Sequence, residues 1–363
     1  MRSSAHRTLG CACLAASVLL PGLLMACADD SGPVRPGPLP LEPYDTLREW
    51  GLFEDSEGRI PAEGVVPFTV ISPLFSDYAL KDRFLYVPEG AKIGYDAESE
   101  WRFPVGTILV KSFGYPSEDG ASKELIETRL LVHNDDGWAG HTYVWNDAQN
   151  RAERVIAGRA INLEISRGGG TREELLYIVP NTNECMDCHG QEDSFNTLGG
   201  VSRQLDRTYD YGTGPENQIA HLEALGLFDG PVPTEHQRMV DPLGDAPLLD
   251  RARSYMDSNC GSCHRPGDLA SQSAFWLSWE HTGPSEDPTN WGVCKVPTSA
   301  GGATCGNTFD IVPGRPEESV FVCRMRTTDP EDRMPPLGRR LLHDEGLALI
   351  EEWIAAMPEA PCN

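Results

Sequence analysis

Two pentapeptides, Cys185-Met-Asp-Cys-His189 and Cys260-Gly-Ser-Cys-His264, restrict what this chain can become more than any other feature. Cysteines three positions apart lie about one helical turn from each other. Both thiols of such a pair therefore reach the two vinyl groups on one porphyrin edge, and the histidine that follows falls beneath the ring as an iron ligand. The reading predicts two covalent haem c groups. Cys185, Cys188, Cys260 and Cys263 would form the thioethers, and His189 and His264 the proximal iron bonds. A zinc or dithiol redox role is the competing chemistry for Cys-x-x-Cys, and it suits a reducing compartment.

The N-terminus argues for export instead. Arg2 and Arg7 precede an apolar, small-residue run over residues 9–26, which has the grammar of a secretory signal and is too short and interrupted for a membrane span. It ends Leu24-Met25-Ala26-Cys27, which resembles the lipobox of bacterial lipoproteins. That resemblance implies cleavage of residues 1–26, acylation of Cys27 and a periplasm-facing lipoprotein, with Asp29 and Asp30 favouring the outer over the inner membrane. Several acyl chains hold a protein on a membrane where one does not. An ordinary signal with a coincidental cysteine fits the same grammar.

The formal net charge is −25, and loss of Arg2 and Arg7 makes the mature chain more acidic still. Nucleic acid is excluded as a partner on this charge. Basic cytochromes or a periplasmic dehydrogenase are the expected redox partners, steered by opposite charge, although acidity of this kind also serves solubility alone. The chain has 11 cysteines. Once those in the signal, at the lipid site and in the two pentapeptides are set aside, Cys294, Cys305, Cys323 and Cys362 remain, an even set that predicts two disulfides in an oxidising compartment. Three pairings exist in principle. Cys294 with Cys305 and Cys323 with Cys362 is the preferred one, since it closes a Gly-rich loop and ties down the C-terminus.

Residues 27–43 are proline-rich and aperiodic and read as a tether. A short helix over 44–50 stops at Gly51, and the pattern returns at Gly226; both read as left-handed glycine caps followed by an apolar residue. Between residues 67 and 180 the periodicity shortens to two. Strands are predicted over 83–87, 107–113, 125–133, 142–145 and 175–179, with Asn134-Asp-Asp-Gly137 as a hairpin turn. Residues 44–243 are thus expected to form a β-rich, sandwich-like domain that carries the first Cys-x-x-Cys-His and a helical or loop linker. Trp101-Arg-Phe-Pro-Val-Gly-Thr-Ile-Leu-Val-Lys111, followed by the 138–145 segment and the first motif, resembles small β-sheet cytochromes that oxidise hydroxylamine or bind nitric oxide. The resemblance implies a first haem with an open distal side and draws attention to Lys111. His133, His141, His221, His236 and Met239 are the alternatives for a protein ligand there, none with a distinctive context.

Beyond residue 243 the helical period is clear. Residues 247–259 form an amphipathic stretch that delivers Cys260, and residues 346–357 form a second one. With His264-Arg-Pro266 and Arg333-Met334-Pro-Pro-Leu-Gly338, residues 244–363 resemble an all-α class I cytochrome c. That resemblance implies that the Pro266 carbonyl orients His264 and that Met334 is the distal iron ligand, with Met325 on a helix over 317–326 as its rival. Ile311-Val-Pro-Gly-Arg-Pro-Glu and His343-Asp-Glu-Gly extend the likeness to a group of uncharacterised bacterial haem lipoproteins and to haem domains fused to sugar dehydrogenases.

The expected fold is therefore multidomain, a β-rich domain followed by an all-α one, and the expected role is electron transfer by a membrane-tethered cytochrome with two haems. A haem oxidoreductase or small-ligand sensor, with substrate at the first haem and the second as relay, is the alternative. A third reading makes the β domain a binding module for another envelope protein.

Overall fold

The period-two stretches pair in simple chain order. In a computed structural model that describes residues 34–362 apart from 118, 119, 121, 167–171, 192, 193, 196, 199, 234 and 299–303, six strands form one antiparallel meander. These are β1 (Val65–Phe68), β2 (Leu80–Tyr86), β3 (Ile108–Pro116), β4 (Lys123–Asn134), β5 (Gly137–Trp145) and β6 (Ala152–Val155). The β4–β5 connection is the anticipated tight turn, with Asn134 opposite Gly137. Strands β7 (Arg159–Ser166) and β8 (Arg172–Val179) form a separate hairpin.

Alternation sorts the sheet's side chains onto two faces. One face carries Phe84, Ile108, Val110, Leu130, Val132 and Tyr143, and the 3-10 turn Leu47–Trp50 seals it. Trp50 Nε1 donates to the Tyr143 hydroxyl at 2.6 Å, and that hydroxyl donates to the Tyr44 carbonyl at 2.8 Å. The other face is split. At one end Leu85, Leu109 and Trp138 pack with Trp101, Phe103 and Leu205. At the other, Phe113, Tyr115 and Val144 pack under the β7–β8 hairpin through Ile165, Leu175 and Tyr177. The strip between the two ends is polar.

Helices are short. They are α1 (Cys185–His189), α2 (Ser202–Leu205), α3 (Gln218–Ala224), α4 (Leu248–Met256), α5 (Val320–Arg326) and α6 (Asp344–Ala355). Gly51 and Gly226 adopt the left-handed conformation anticipated for caps. Pro215 lies in a two-stranded ribbon with 208–210, and Asn217 caps α3 by accepting from the amides of Ile219 and Ala220.

The expected all-α class I cytochrome c domain is corrected. The chain is β-rich, and among the described residues of 244–363 α-helix is confined to α4, α5 and α6. These three share an apolar core built on Met256, Phe275, Ile311, Phe321, Ile350 and Trp353. The intervening residues are rich in Gly, Pro, Ser, Thr and Asn, so they form isolated 3-10 turns and loops instead of further helix.

Residues 33–363 make one compact unit, and buried and part-buried hydrogen bonds cross the expected boundary at 244. Ser72 Oγ donates to the Ser254 carbonyl at 2.8 Å, the Phe75 amide donates to Asn259 Oδ1 at 2.8 Å, and Gln204 Nε2 donates to Ser258 Oγ at 2.8 Å. Asp77, at φ 48°, accepts the amides of Arg340 and Leu341, each at 2.7 Å. Both disulfides differ from the preferred pairing. Cys294 joins Cys362 and Cys305 joins Cys323, with Cα separations of 5.0 and 6.5 Å. The tail after α6 folds back past Gly314, which carries Cys362 to Cys294, while the turn Thr304–Gly306 abuts α5. The signal, the lipobox and Cys27 lie outside the described residues. Among those described, no helix is long and apolar enough to cross a membrane.

Candidate functional site

The first pentapeptide is the whole of α1, so Cys185, Cys188 and His189 share one helical turn. The helix lies against the split face of the sheet at Gly140. A Cβ built there would come within 3.2 Å of Cys185 Sγ and 3.5 Å of the Phe195 ring, so glycine permits this approach. The His189 imidazole stacks on Phe195, with centroids 5.1 Å apart and planes 10° from parallel.

The second pentapeptide continues α4. A π turn, Asp257–Gly261, carries the helix into Cys260, and the amides of Cys263 and His264 close back on the Cys260 carbonyl at 3.1 and 2.9 Å. His264 Nδ1 lies 3.0 Å from the Phe275 carbonyl. A carbonyl only accepts, so the proton sits on Nδ1 and the Nε2 lone pair is the one left for a metal. The carbonyl that orients this ring is therefore Phe275, not the expected Pro266. Burial lowers the His264 pKa to about 4, against the upward pull of the Phe275 hydrogen bond, so the ring is neutral at neutral pH.

The fold brings the two pentapeptides together, although they lie far apart in sequence. The Cys188 and Cys263 thiols are close enough to shift each other's protonation. Cys263 Sγ also lies 3.7 Å from the Asp187 carbonyl. The neighbouring Cys263 thiol raises the Cys188 pKa, and burial adds to this; Cys188 in turn lowers that of Cys263. Burial raises Cys185 and pushes Cys260 up to about 12. Among the described residues, no group of three or more His, Cys, Asp or Glu side chains is placed to hold a metal ion, so the four thiols do not gather into a zinc-type cage.

These residues fit haem c. The first motif offers two thiols and an imidazole on one short helix, the second offers Cys260 on the π turn with Cys263 and His264 on the turn that follows, and the second imidazole is already held with Nε2 as the acceptor.

Met334 lines a small cavity with Phe75, Tyr255, Asn259, Met325 and His343. Two of these residues lie on the α4 segment that leads into Cys260, so the cavity adjoins the second motif. The structure thus brings Met334 and its rival Met325 to the same place. It adds His343, which stacks on Phe75 at 4.2 Å and contacts the Tyr255 hydroxyl through Nδ1 at 3.0 Å. Arg339 holds the Met334 loop by donating to the carbonyls of Met334, Thr327 and Leu341 at 2.9, 3.0 and 3.2 Å. His343 entered the sequence reading only as part of a family likeness and Arg339 not at all, because a lone histidine or arginine carries no spacing signal.

The distal candidates for the first motif scatter. His133 stacks on Trp138, 4.6 Å between centroids, and is the one of them on the sheet face that α1 covers. His141 stacks near Trp50 on the opposite face. His221 pairs with Glu216, His236 lies beside Asp206, and Met239 is buried with Ile71 and Trp279. Lys111 projects from β3 on the face that α1 covers, in a row of cations opposite Arg83 and Arg129. Compared with models of known protein families, with curated proteins and with solved structures, the chain matches none.

Proposed function

We propose that this protein is a c-type cytochrome with two covalent haems that passes electrons between partners in the bacterial cell envelope, tethered through Cys27. The observation that carries this reading is the approach of the two Cys-x-x-Cys-His motifs, with Cys263 Sγ 3.7 Å from the carbonyl of Asp187, the residue before Cys188. When bound, haem c supplies reversible one-electron chemistry. The chain's own residues would attach, orient and shield the two groups. Cys185, Cys188, Cys260 and Cys263 fix them covalently, and the Phe275 carbonyl keeps His264 in the tautomer that leaves Nε2 for iron. Met334, beside Met325 and His343, supplies a thioether at the second motif, a ligand type that raises reduction potential. The approach of Cys263 to the Asp187 carbonyl would make the two attachment edges neighbours, the arrangement that short-range electron exchange requires. A strongly acidic surface favours a basic redox partner.

The test is a haem count on protein matured in a periplasm, by pyridine haemochrome and intact mass, with circular dichroism across the Soret band. Two haems and a split Soret signal from closely coupled chromophores are expected. A chain that carries no haem, or two haems with no coupling signal, would overturn the reading.

A further inference from the structure

The polar strip on the split face of the sheet is a row of cations. In register, Arg83 on β2 lies opposite Lys111 on β3, and Lys111 lies opposite Arg129 on β4. Adjacent strands are about 4.8 Å apart, and like charges set directly opposite each other destabilise a sheet. Lys81 joins the row from the same face of β2. Lys81 Nζ, Lys111 Nζ and Arg129 Cζ surround the Phe113 ring at 6.0, 5.0 and 4.5 Å from its centroid.

One carboxylate answers this charge, and it is committed. Glu127, fully buried, takes Arg129 Nε and Nη2 at 2.9 and 2.6 Å and the Tyr177 hydroxyl at 2.6 Å. Asp82 projects to the other face, where it pairs with Lys123. Asp77 is occupied by two backbone amides. Among the described residues, neither Arg83 nor Lys111 forms an ion pair. Burial depresses both: Lys111, with the cations Arg83, Lys81 and Arg129 adding to it, lies well below the usual lysine range, and Arg83, against an upward pull from Asp82 on the other face, falls to about 10. A sheet that places three cations in line under a helix, with carboxylate enough for one, is built for a negative group from outside the sheet.

We infer that Arg83 and Lys111, flanked by Arg129, form an anion-binding strip beneath the first Cys-x-x-Cys-His helix, which takes an anionic oxygen group. The strip lies on the sheet face that α1 covers at Gly140, and Arg129 and Lys111 act electrostatically on Cys185 and Cys188. Two sources share this chemistry: the propionate carboxylates of the group attached at those cysteines, or a small free oxyanion drawn to the same site. The inference rests on the haem reading for its first source and stands without it for its second.

The experiment uses the full-length, haem-loaded protein and its Arg83→Gln, Lys111→Gln and Lys111→Arg variants. Nitrite is titrated by calorimetry and by the Soret band, and the propionate bending modes are read by resonance Raman. Nitrite binding that weakens at least tenfold in Arg83→Gln and Lys111→Gln, and survives in Lys111→Arg, identifies a free oxyanion. Absence of nitrite binding with propionate modes shifted in the two glutamine variants identifies the haem's own carboxylates. Absence of both effects, with two haems retained, overturns the strip and leaves the cytochrome reading intact. If the chain proves haem-free, the cytochrome reading fails, and calorimetry with nitrite on that chain alone decides the strip. Should the glutamine variants not fold, wild type that binds no nitrite and whose propionate bending modes lie at the frequency of carboxylates without a cationic partner also overturns it.

Discussion

At the scale of single residues, histidines separate by what surrounds them, and sequence shows nothing of that. His141 stands next to Thr142 in a strand that reads cleanly by alternation, yet its ring is packed near Trp50, with centroids 6.0 Å apart. Burial, with a smaller push from Arg154, lowers its pKa from 6.5 to about 4. The folded state therefore prefers the neutral ring. Above pH 6.5 the ring is neutral in both folded and unfolded chains and costs nothing. As pH falls from 6.5 towards 4, the unfolded chain takes a proton that the folded one refuses, so stability is lost across that window and no further below it. His141→Gln, neutral throughout, should flatten the denaturant-midpoint profile between pH 6.5 and 4 relative to wild type. Parallel profiles for the two proteins would show that His141 is not the group responsible. The motif residues are the opposite case: Cys185, Cys188, His189, Cys260, Cys263 and His264 draw attention through local spacing alone, and the haem attachment proposed for them rests on that spacing.

Among the elements, legibility followed the strength of the period. The central strands β2 to β5 alternate over long stretches and were read, although their ends were placed short. Strand β1 was missed because four residues with Pro67 inside give little alternation, and β7 because most of its side chains face solvent. The π turn that carries α4 into Cys260 has no sequence signature, and the helical period at 247–259 and 346–357 said nothing about the loops between them. That silence is why an all-α domain was expected and a loop-rich region on a β-rich fold is found. Where elements meet, a missing side chain can matter more than any present. Gly140 lets β5 approach α1, and a larger residue there must displace Cys185 Sγ or the Phe195 ring. Overpacking of this kind costs about 1–3 kcal/mol. Gly140→Val should lower the melting temperature and reduce haem occupancy at Cys185 and Cys188 selectively, as peptide mass mapping would read. Equal occupancy at both motifs would mean that α1 does not sit against β5.

For the whole molecule, the question is whether residues 244–363 are a unit. Their own core, around Met256, Ile350 and Trp353, is apolar and well buried. Two disulfides brace it, each worth about 2–4 kcal/mol. Against that, groups inside this region depend on partners before residue 244. The amides of Arg340 and Leu341 donate to Asp77, Asn259 accepts from the Phe75 amide, and Ser258 accepts from Gln204. A buried polar group left unpaired costs about 1–3 kcal/mol, so the loss of several at once is comparable to a small domain's net stability of about 5–15 kcal/mol. The same contacts place Cys263 against α1, so they also hold the two motifs together. None of these pairings is local, and for that reason no period or spacing announced them, just as the meeting of Cys188 with Cys263 was not announced. Residues 244–363 expressed alone and matured in a periplasm should therefore lack a cooperative melt, while the full chain unfolds in one transition seen by both fluorescence and Soret absorbance. Co-expression with residues 34–243 should restore part of that cooperativity, because the missing donors and acceptors are then supplied in trans. An isolated C-terminal fragment that melts sharply at the temperature of the full chain would show that the hydrogen bonds across residue 244 contribute little. The alignment of the two Cys-x-x-Cys-His motifs would then have to be held by the thiol contact and the first helix alone.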